Sequence, residues 1–191
     1  MPGDLGRILL DRQTLAQRVA ELGVQAAQGV GSGGLTLVPV MTGAVVFTAD
    51  LVRRLPVRLR VHPVSASSYP GRSVRSVGAV ELRGLDAMPE DLSGHDVLVV
   101  DDILDTGRTL ARVLEAVGSR RPKRLRSCVL LRKRRASPPE VEADLVGFEV
   151  PDEFVVGYGL DHDGWHRDLP DVVALAIVSG QPEAAAQEAL R

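Results

Sequence analysis

Apolar positions in the first part of the chain recur at helical spacing and then give way to short unbroken runs. Leu15, Val19, Leu22 and Ala26 stand three and four residues apart, which predicts a helix over about residues 12–28. Val30-Gly31-Ser32-Gly33-Gly34 ends it. Leu35 to Met41 is a short apolar run of the kind that forms a buried strand, and it stops at Thr42-Gly43. Ala44 to Leu55 reads as a helix and Val57 to Val64 as another strand. The small, polar, glycine-bearing stretch from Ser65 to Ser73 reads as a loop, with Ala79 to Arg83 as a strand returning from it. Asp96 to Val100 predicts a buried strand, Arg108 to Val117 a helix, Arg124 to Leu131 a strand, and Asp171 to Val178 one more. The alanine-rich residues from Gln181 to Arg191 read as a surface helix or a frayed end.

Strands alternating with helices, with strand runs apolar throughout, predict an α/β fold around a mainly parallel sheet. A length of 191 residues suits one domain spanning 1–191. Hydrophobic residues make up 45% of the chain and aromatics only 3%, so the core is aliphatic and each aromatic near a polar cluster stands out. A net charge of -2 supplies no basic field for nucleic acid and no single-sign face for a membrane. No apolar stretch approaches the ~20 residues that cross a bilayer. The single Cys128 lies in an apolar run and reads as a small buried hydrophobe; the expected compartment is reducing and cytoplasmic. The basic run from Arg132 to Arg135 reads first as a solvated face.

One segment carries chemistry. Val97 to Val100 is followed by Asp101-Asp102, then Ile103-Leu104, then Asp105-Thr106-Gly107-Arg108-Thr109 at the start of a helix. Ligands of open α/β sheets sit beyond the carboxyl ends of strands, and a helix N-terminus offers free N–H groups to an anion. The plain alternative is a strand end with solvated acids and an N-cap at Asp105 or Thr106. Paired acids beside a phosphate cradle would repel the phosphate, so sugar hydroxyls or a phosphate-bound Mg²⁺ are their sensible targets.

The whole run resembles the phosphoribosyl pyrophosphate motif of the type I phosphoribosyltransferases. Four further segments keep the order of the hypoxanthine-guanine phosphoribosyltransferase family. They are Val40 to Leu51, Ser67-Ser68-Tyr69, Lys133, and Ala143 to Asp161 with Arg167-Asp168-Leu169-Pro170. The resemblance implies a twisted, mainly parallel sheet flanked by helices (roughly residues 35–150). It also implies a small hood built from the N-terminal segment and the C-terminal purine-reading segment.

It implies roles as well. Asp101 and Asp102 contact the ribose hydroxyls and, with Asp161, Mg²⁺. Asp105, Thr106, Gly107, Arg108 and Thr109 hold the 5′-phosphate. Thr42, Gly43 and Arg167 bind pyrophosphate, Thr42 standing where many members have Lys, and Met41-Thr42-Gly43 falling where the family forms a tight loop, often with a cis peptide. Lys133 donates to the purine 6-oxo group, Phe154 stacks on the base, Val155 reads its edge through the backbone, and Asp161 lies beside it. Asp105 is the general base opposite N7, and Ser68 and Tyr69 belong to a closing lid. The implied reaction moves a phosphoribosyl group from phosphoribosyl pyrophosphate to hypoxanthine or guanine, in a homodimer or homotetramer. A xanthine-preferring enzyme and a non-catalytic nucleotide-sensing regulator are the other readings. A histidine-ligated metal at Asp161, His162, Asp163 and His166 is disfavoured by loose spacing.

Overall fold

The computed structural model describes residues 4–68 and 80–176. Among the described residues ten strands form two sheets, accompanied by three α-helices. In chain order they are β1 (Asp4–Leu10), α1 (Arg12–Ala27), β2 (Leu35–Met41), α2 (Val45–Val52), β3 (Leu59–Val61), β4 (Val64–Ser68) and β5 (Val80–Arg83). There follow β6 (Asp96–Leu104), α3 (Arg108–Gly118), β7 (Arg124–Lys133), β8 (Leu145–Val150), β9 (Val155–Val156) and β10 (Val172–Ala176), with a short 3₁₀ turn at Leu85–Ala87.

The seven-stranded sheet runs β5-β4-β2-β6-β7-β8, with β3 also paired to β2; every pairing is parallel except β4 with β5. Strand alternation divides the core into two layers. Leu98 and Val100 pack with Leu37, Cys128 and Leu130 against α1 and α2, through Leu15, Val19, Leu22, Phe47 and Leu51. Val97 and Val99 pack with Val38 and Val129 against α3, through Leu110, Val113 and Val117. Truncating any one of these buried leucines to alanine costs about 2–5 kcal/mol.

Helix α1 starts where Asp11 caps it, its Oδ1 accepting from the N–H groups of Gln13 (2.9 Å) and Thr14 (2.8 Å). Its apolar positions are the ones the spacing picked out. The smaller sheet has the order β1-β10-β9, all antiparallel, and joins the two ends of the described chain, with Asp4 opposite Ala176. It sits on the α1–α2 side, since Val155, Tyr158, Leu160 and Val172 belong to that layer of the core. No helix among the described residues is long and apolar enough to cross a membrane.

Four expectations change. The strand expected over Val57 to Val64 is two strands, β3 and β4, each paired with β2 on either side of His62-Pro63. Ser65 to Ser68, expected in a loop, continue β4, because the ladder to β5 from Ser65–Arg83 to Ser68–Val80 is made by the backbone whatever the side chains. Strand β6 runs through both aspartates to Leu104, since its pairing with β7 continues to Leu104–Arg132. The N-cap of α3 is Gly107, with no side-chain cap from Asp105 or Thr106. The tail beyond Ala176 and most of the expected lid loop, Tyr69 included, lie outside the described residues.

Candidate active site

The end of β6 divides two acids between two cavities. Successive side chains leave a strand on opposite faces, and the two neighbouring acids line different cavities. Asp101 lines a small cavity of about 60 Å³ with Asp105, Thr106, Gly107, Arg108 and Thr109. Asp102 lines a larger one of about 240 Å³ with Asp105, Lys133, Phe154, Val155 and Asp161. One carboxylate therefore serves a helix N-terminus and the other a mixed apolar and polar slot of the size of a small flat ligand.

The small cavity has the features of an anion site. Gly107 has φ 80, which L side chains rarely adopt, and a Cβ there would lie 2.9 Å from the N of Glu140. The close turn frees the first N–H groups of the eleven-residue α3. Arg108 is turned outward to Glu140, Nε to Oε1 3.1 Å.

Asp101 is only 5% exposed, and its Oδ1 accepts from the N–H of Asp102 at 3.0 Å. Oδ1 of Asp102 accepts from the N–H of Ile103 at 2.8 Å. Burial, and then the neighbouring Asp102 charge, push the Asp101 carboxyl well above the usual carboxylate range. Burial also raises Asp102, while the bond with Asp101 and, more weakly, the Arg167 charge pull it back. Among the described residues neither acid forms an ion pair.

Two adjacent buried carboxylates without a cationic partner suit a divalent ion that arrives with its ligand. Mg²⁺ is commonly held by one or two carboxylates plus substrate phosphates and water. Asp161, expected as a third metal ligand beside Asp101 and Asp102, is engaged by an arginine. No three metal-ligating side chains come together among the described residues, and Oδ1 of Asp161 is held by Arg167 Nη2 at 2.7 Å.

The Thr42-Gly43 loop closes directly over Asp102. The Met41–Thr42 peptide is cis. A Cβ on Gly43 would fall 1.8 Å from Asp102 Oδ2, so only glycine leaves room for that carboxylate. Arg167 donates from Nη1 to the Gly159 carbonyl at 2.7 Å, in the turn that carries Tyr158 and Leu160. It pairs with Asp161 rather than with Asp168 or Asp171.

On the far side of the larger cavity Lys133 ends β7, its side chain 14% exposed. Its Nζ lies 3.4 Å from Asp105 Oδ2 and 3.7 Å from Asp152 Oδ1. Phe154 is 38% exposed toward the cavity and meets His162 edge to face, centroids 5.1 Å apart at 84°. Val155 is buried in β9, paired with Ala174 of β10, and so places this wall through the hood. Trp165 is 70% exposed at a turn outside the cavity lining. Ser68 ends β4, and Tyr69 is not among the described residues.

Sequence reasoning missed two members of this cluster, Arg135 and Asp152. Arg135 bonds Asp105 and lies 3.8 Å from Asp152. The basic run is thus divided: Arg132 pairs with Glu142 and Glu149 on the outer face, while Lys133 and Arg135 turn to Asp105. The alternation of an extended chain carried that signal.

A family model for the phosphoribosyl transferase domain matches residues 7–163. The chain is 41% identical over 175 residues to a hypoxanthine-guanine phosphoribosyltransferase of Mycobacterium avium, covering 88% of this chain and 84% of that one. It is 40% identical over 173 residues to a hypoxanthine phosphoribosyltransferase of Salmonella typhimurium, covering 90% and 96%. Among solved structures, a hypoxanthine-guanine phosphoribosyltransferase of Bacillus anthracis superposes with a TM-score of 0.78 at 32% identity, over 90% of this chain and 99% of that one. With the acid pair, the helix N-terminus and the aromatic slot already placed beyond the carboxyl ends of β6 and β7, these matches show that the chain belongs to the hypoxanthine-guanine phosphoribosyltransferase family, with its type I phosphoribosyltransferase fold.

Proposed function

We propose that this protein is a purine-salvage enzyme. It transfers the 5-phosphoribosyl group from phosphoribosyl pyrophosphate to hypoxanthine or guanine, giving the nucleoside monophosphate and pyrophosphate. One observation carries the reading: Asp102, Asp105, Lys133, Phe154 and Asp161, drawn from separate stretches of sequence, line one cavity beside the N-terminus of α3.

The 5′-phosphate sits on Thr106 to Thr109, with Asp105 at the edge of that loop. Asp101 and Asp102 would face the ribose hydroxyls and hold Mg²⁺, and Asp161 would reach it only through water. When bound, Mg²⁺ neutralises charge on the pyrophosphate leaving group. The N–H groups of Thr42-Gly43 and the planar guanidinium of Arg167 grip that pyrophosphate. The base lies on the Phe154 ring with its edge along the Val155 backbone. Lys133 donates to the 6-oxo group, which favours an oxopurine over adenine, whose 6-amino group is itself a donor. The purine nitrogen attacks C1 of the ribose as the C–O bond to pyrophosphate breaks. The electron pair leaves with pyrophosphate, and Asp105 takes the base proton.

The same reading makes residues 1–191 one phosphoribosyltransferase domain, working in the cytoplasm as a homodimer or homotetramer, with no nucleic-acid or membrane partner. Its test is a spectrophotometric assay with phosphoribosyl pyrophosphate and Mg²⁺, offering hypoxanthine, guanine, xanthine and adenine, with Asp105→Asn as control. Turnover of hypoxanthine or guanine but not adenine is expected, abolished by chelation and strongly reduced in the variant. Xanthine as the best substrate would move the specificity. Binding of phosphoribosyl pyrophosphate without turnover of any base would make the protein a nucleotide-sensing regulator.

A further inference from the structure

Both carboxylate oxygens of Asp105 are engaged by cations. Arg135 Nη1 bonds Oδ1, and Lys133 Nζ lies 3.4 Å from Oδ2. The two cations differ in position. Lys133 lines the larger cavity, whereas Arg135 is absent from its lining and reaches Asp105 from outside. Asp152 completes the cluster. Its Oδ1 lies 3.7 Å from Lys133 Nζ and 3.8 Å from Arg135 Nη1, so it steadies the guanidinium from the other side. Asp105 itself follows the last residue of β6 and precedes the N-cap of α3, with no helix or strand to fix its side chain.

We propose that Arg135 is a positioning residue for the base-side proton transfer. It anchors Oδ1 of Asp105, so that Oδ2 alone is released to the purine when Lys133 turns from Asp105 to the 6-oxo group. The inference rests on the salvage reading above and adds to it a division of labour between two cations. The lysine is handed from the acid to the substrate, and the arginine stays. A carboxylate held at one oxygen presents the other in a fixed direction, which a proton acceptor needs before its basicity matters. Because Arg135 and its partners are substantially exposed, their ion pairs contribute little to folding, and removing them tests orientation rather than stability.

The experiment compares Arg135→Gln, Arg135→Lys and Arg134→Gln in the full chain. It measures steady-state kinetics for hypoxanthine and for phosphoribosyl pyrophosphate, together with Tm. Arg135→Gln is expected to lower kcat roughly 10- to 100-fold, with KM for phosphoribosyl pyrophosphate and Tm unchanged. Arg135→Lys restores most of the loss, and Arg134→Gln behaves as the parent. Parental kinetics in Arg135→Gln would overturn the proposal while leaving the salvage reading intact. So would an equal loss in both Arg135 variants with a lowered Tm, or a loss confined to KM for phosphoribosyl pyrophosphate. A parent enzyme inactive on every oxopurine would remove both readings together.

Discussion

Replacing Gly43 with alanine adds one methyl group at the most crowded point of the site. The new carbon would stand 1.8 Å from Asp102 Oδ2 and 2.6 Å from its Cγ. That is about 1.5 Å short of the ~3.3 Å at which a carbon meets an oxygen. The backbone raises no objection, since Gly43 is not among the glycines of positive φ. All of the conflict is therefore between the loop and one carboxylate. Asp102 cannot easily retreat, being fixed by the Ile103 N–H at 2.8 Å on a strand paired through to Leu104. If the loop yields instead, overpacking of this kind costs about 1–3 kcal/mol. In a chain of this size each kcal/mol lowers Tm by about 2–4 °C. Either response shifts the Thr42-Gly43 loop or Asp102 by about an ångström, a misplacement that can cost about 100-fold in rate. Gly94→Ala is the control, because a Cβ there meets nothing within 4 Å. The assay is kcat/KM for phosphoribosyl pyrophosphate at saturating hypoxanthine, with Tm on the same samples. Gly43→Ala within about twofold of the parent on both would refute the claim that loop and carboxylate share one fixed geometry.

Other consequences are equally open to measurement. Lys133→Met should raise KM for hypoxanthine by about 10- to 100-fold, the weight of a charge-assisted bond of about 1.5–3 kcal/mol, and leave KM for phosphoribosyl pyrophosphate nearly unchanged; equal effects on both substrates would contradict the role given to it. Asp101→Asn should raise the thermal stability of the ligand-free protein at neutral pH, because the folded state holds this carboxyl well above its usual range. The sign follows from proton uptake: the unfolded chain loses the proton first, so stability in the parent falls as pH rises from about 4, and that slope should flatten in the variant. Cys128 is buried, and burial pushes its thiol up to about 12 from 9.0, so iodoacetamide at pH 9 should modify it only in denaturant. By the same sign rule its contribution to stability is full below pH 9 and is lost as pH rises through about 12.

The parallel core was legible because its strands are buried on both faces. Runs such as Leu35 to Met41 and Val97 to Val100 have no polar face to confuse them with anything else. Where the backbone alone makes the ladder, the sequence is silent. The serines of β4 and the aspartates of β6 are in strands because neighbouring N–H and C=O groups are in register, and nothing in their side chains says so. Strand β1 was hidden for a related reason: its partner β10 is more than 150 residues away, two register shifts interrupt the pairing, and Leu5 and Ile8 stay exposed. The sugar-phosphate part of the candidate site is contiguous in sequence, and so its chemistry can be seen in order. The cluster of Asp105, Lys133, Arg135 and Asp152 is assembled from three separate stretches, and no local pattern links an arginine after β7 to an aspartate after β8.

The small sheet has a temporal consequence. Its middle strand is β10, to which both β1 and β9 pair, and β10 is the last element of the described chain to be synthesised. Every pairing of the large sheet lies between residues that leave the ribosome earlier. A chain stopped short of Val172 holds every strand of the large sheet and neither pairing of the sheet that carries Val155. The cavity at the start of α3 therefore has its strands before β10 is made, while the wall that carries Val155 is set only once β10 has joined its sheet.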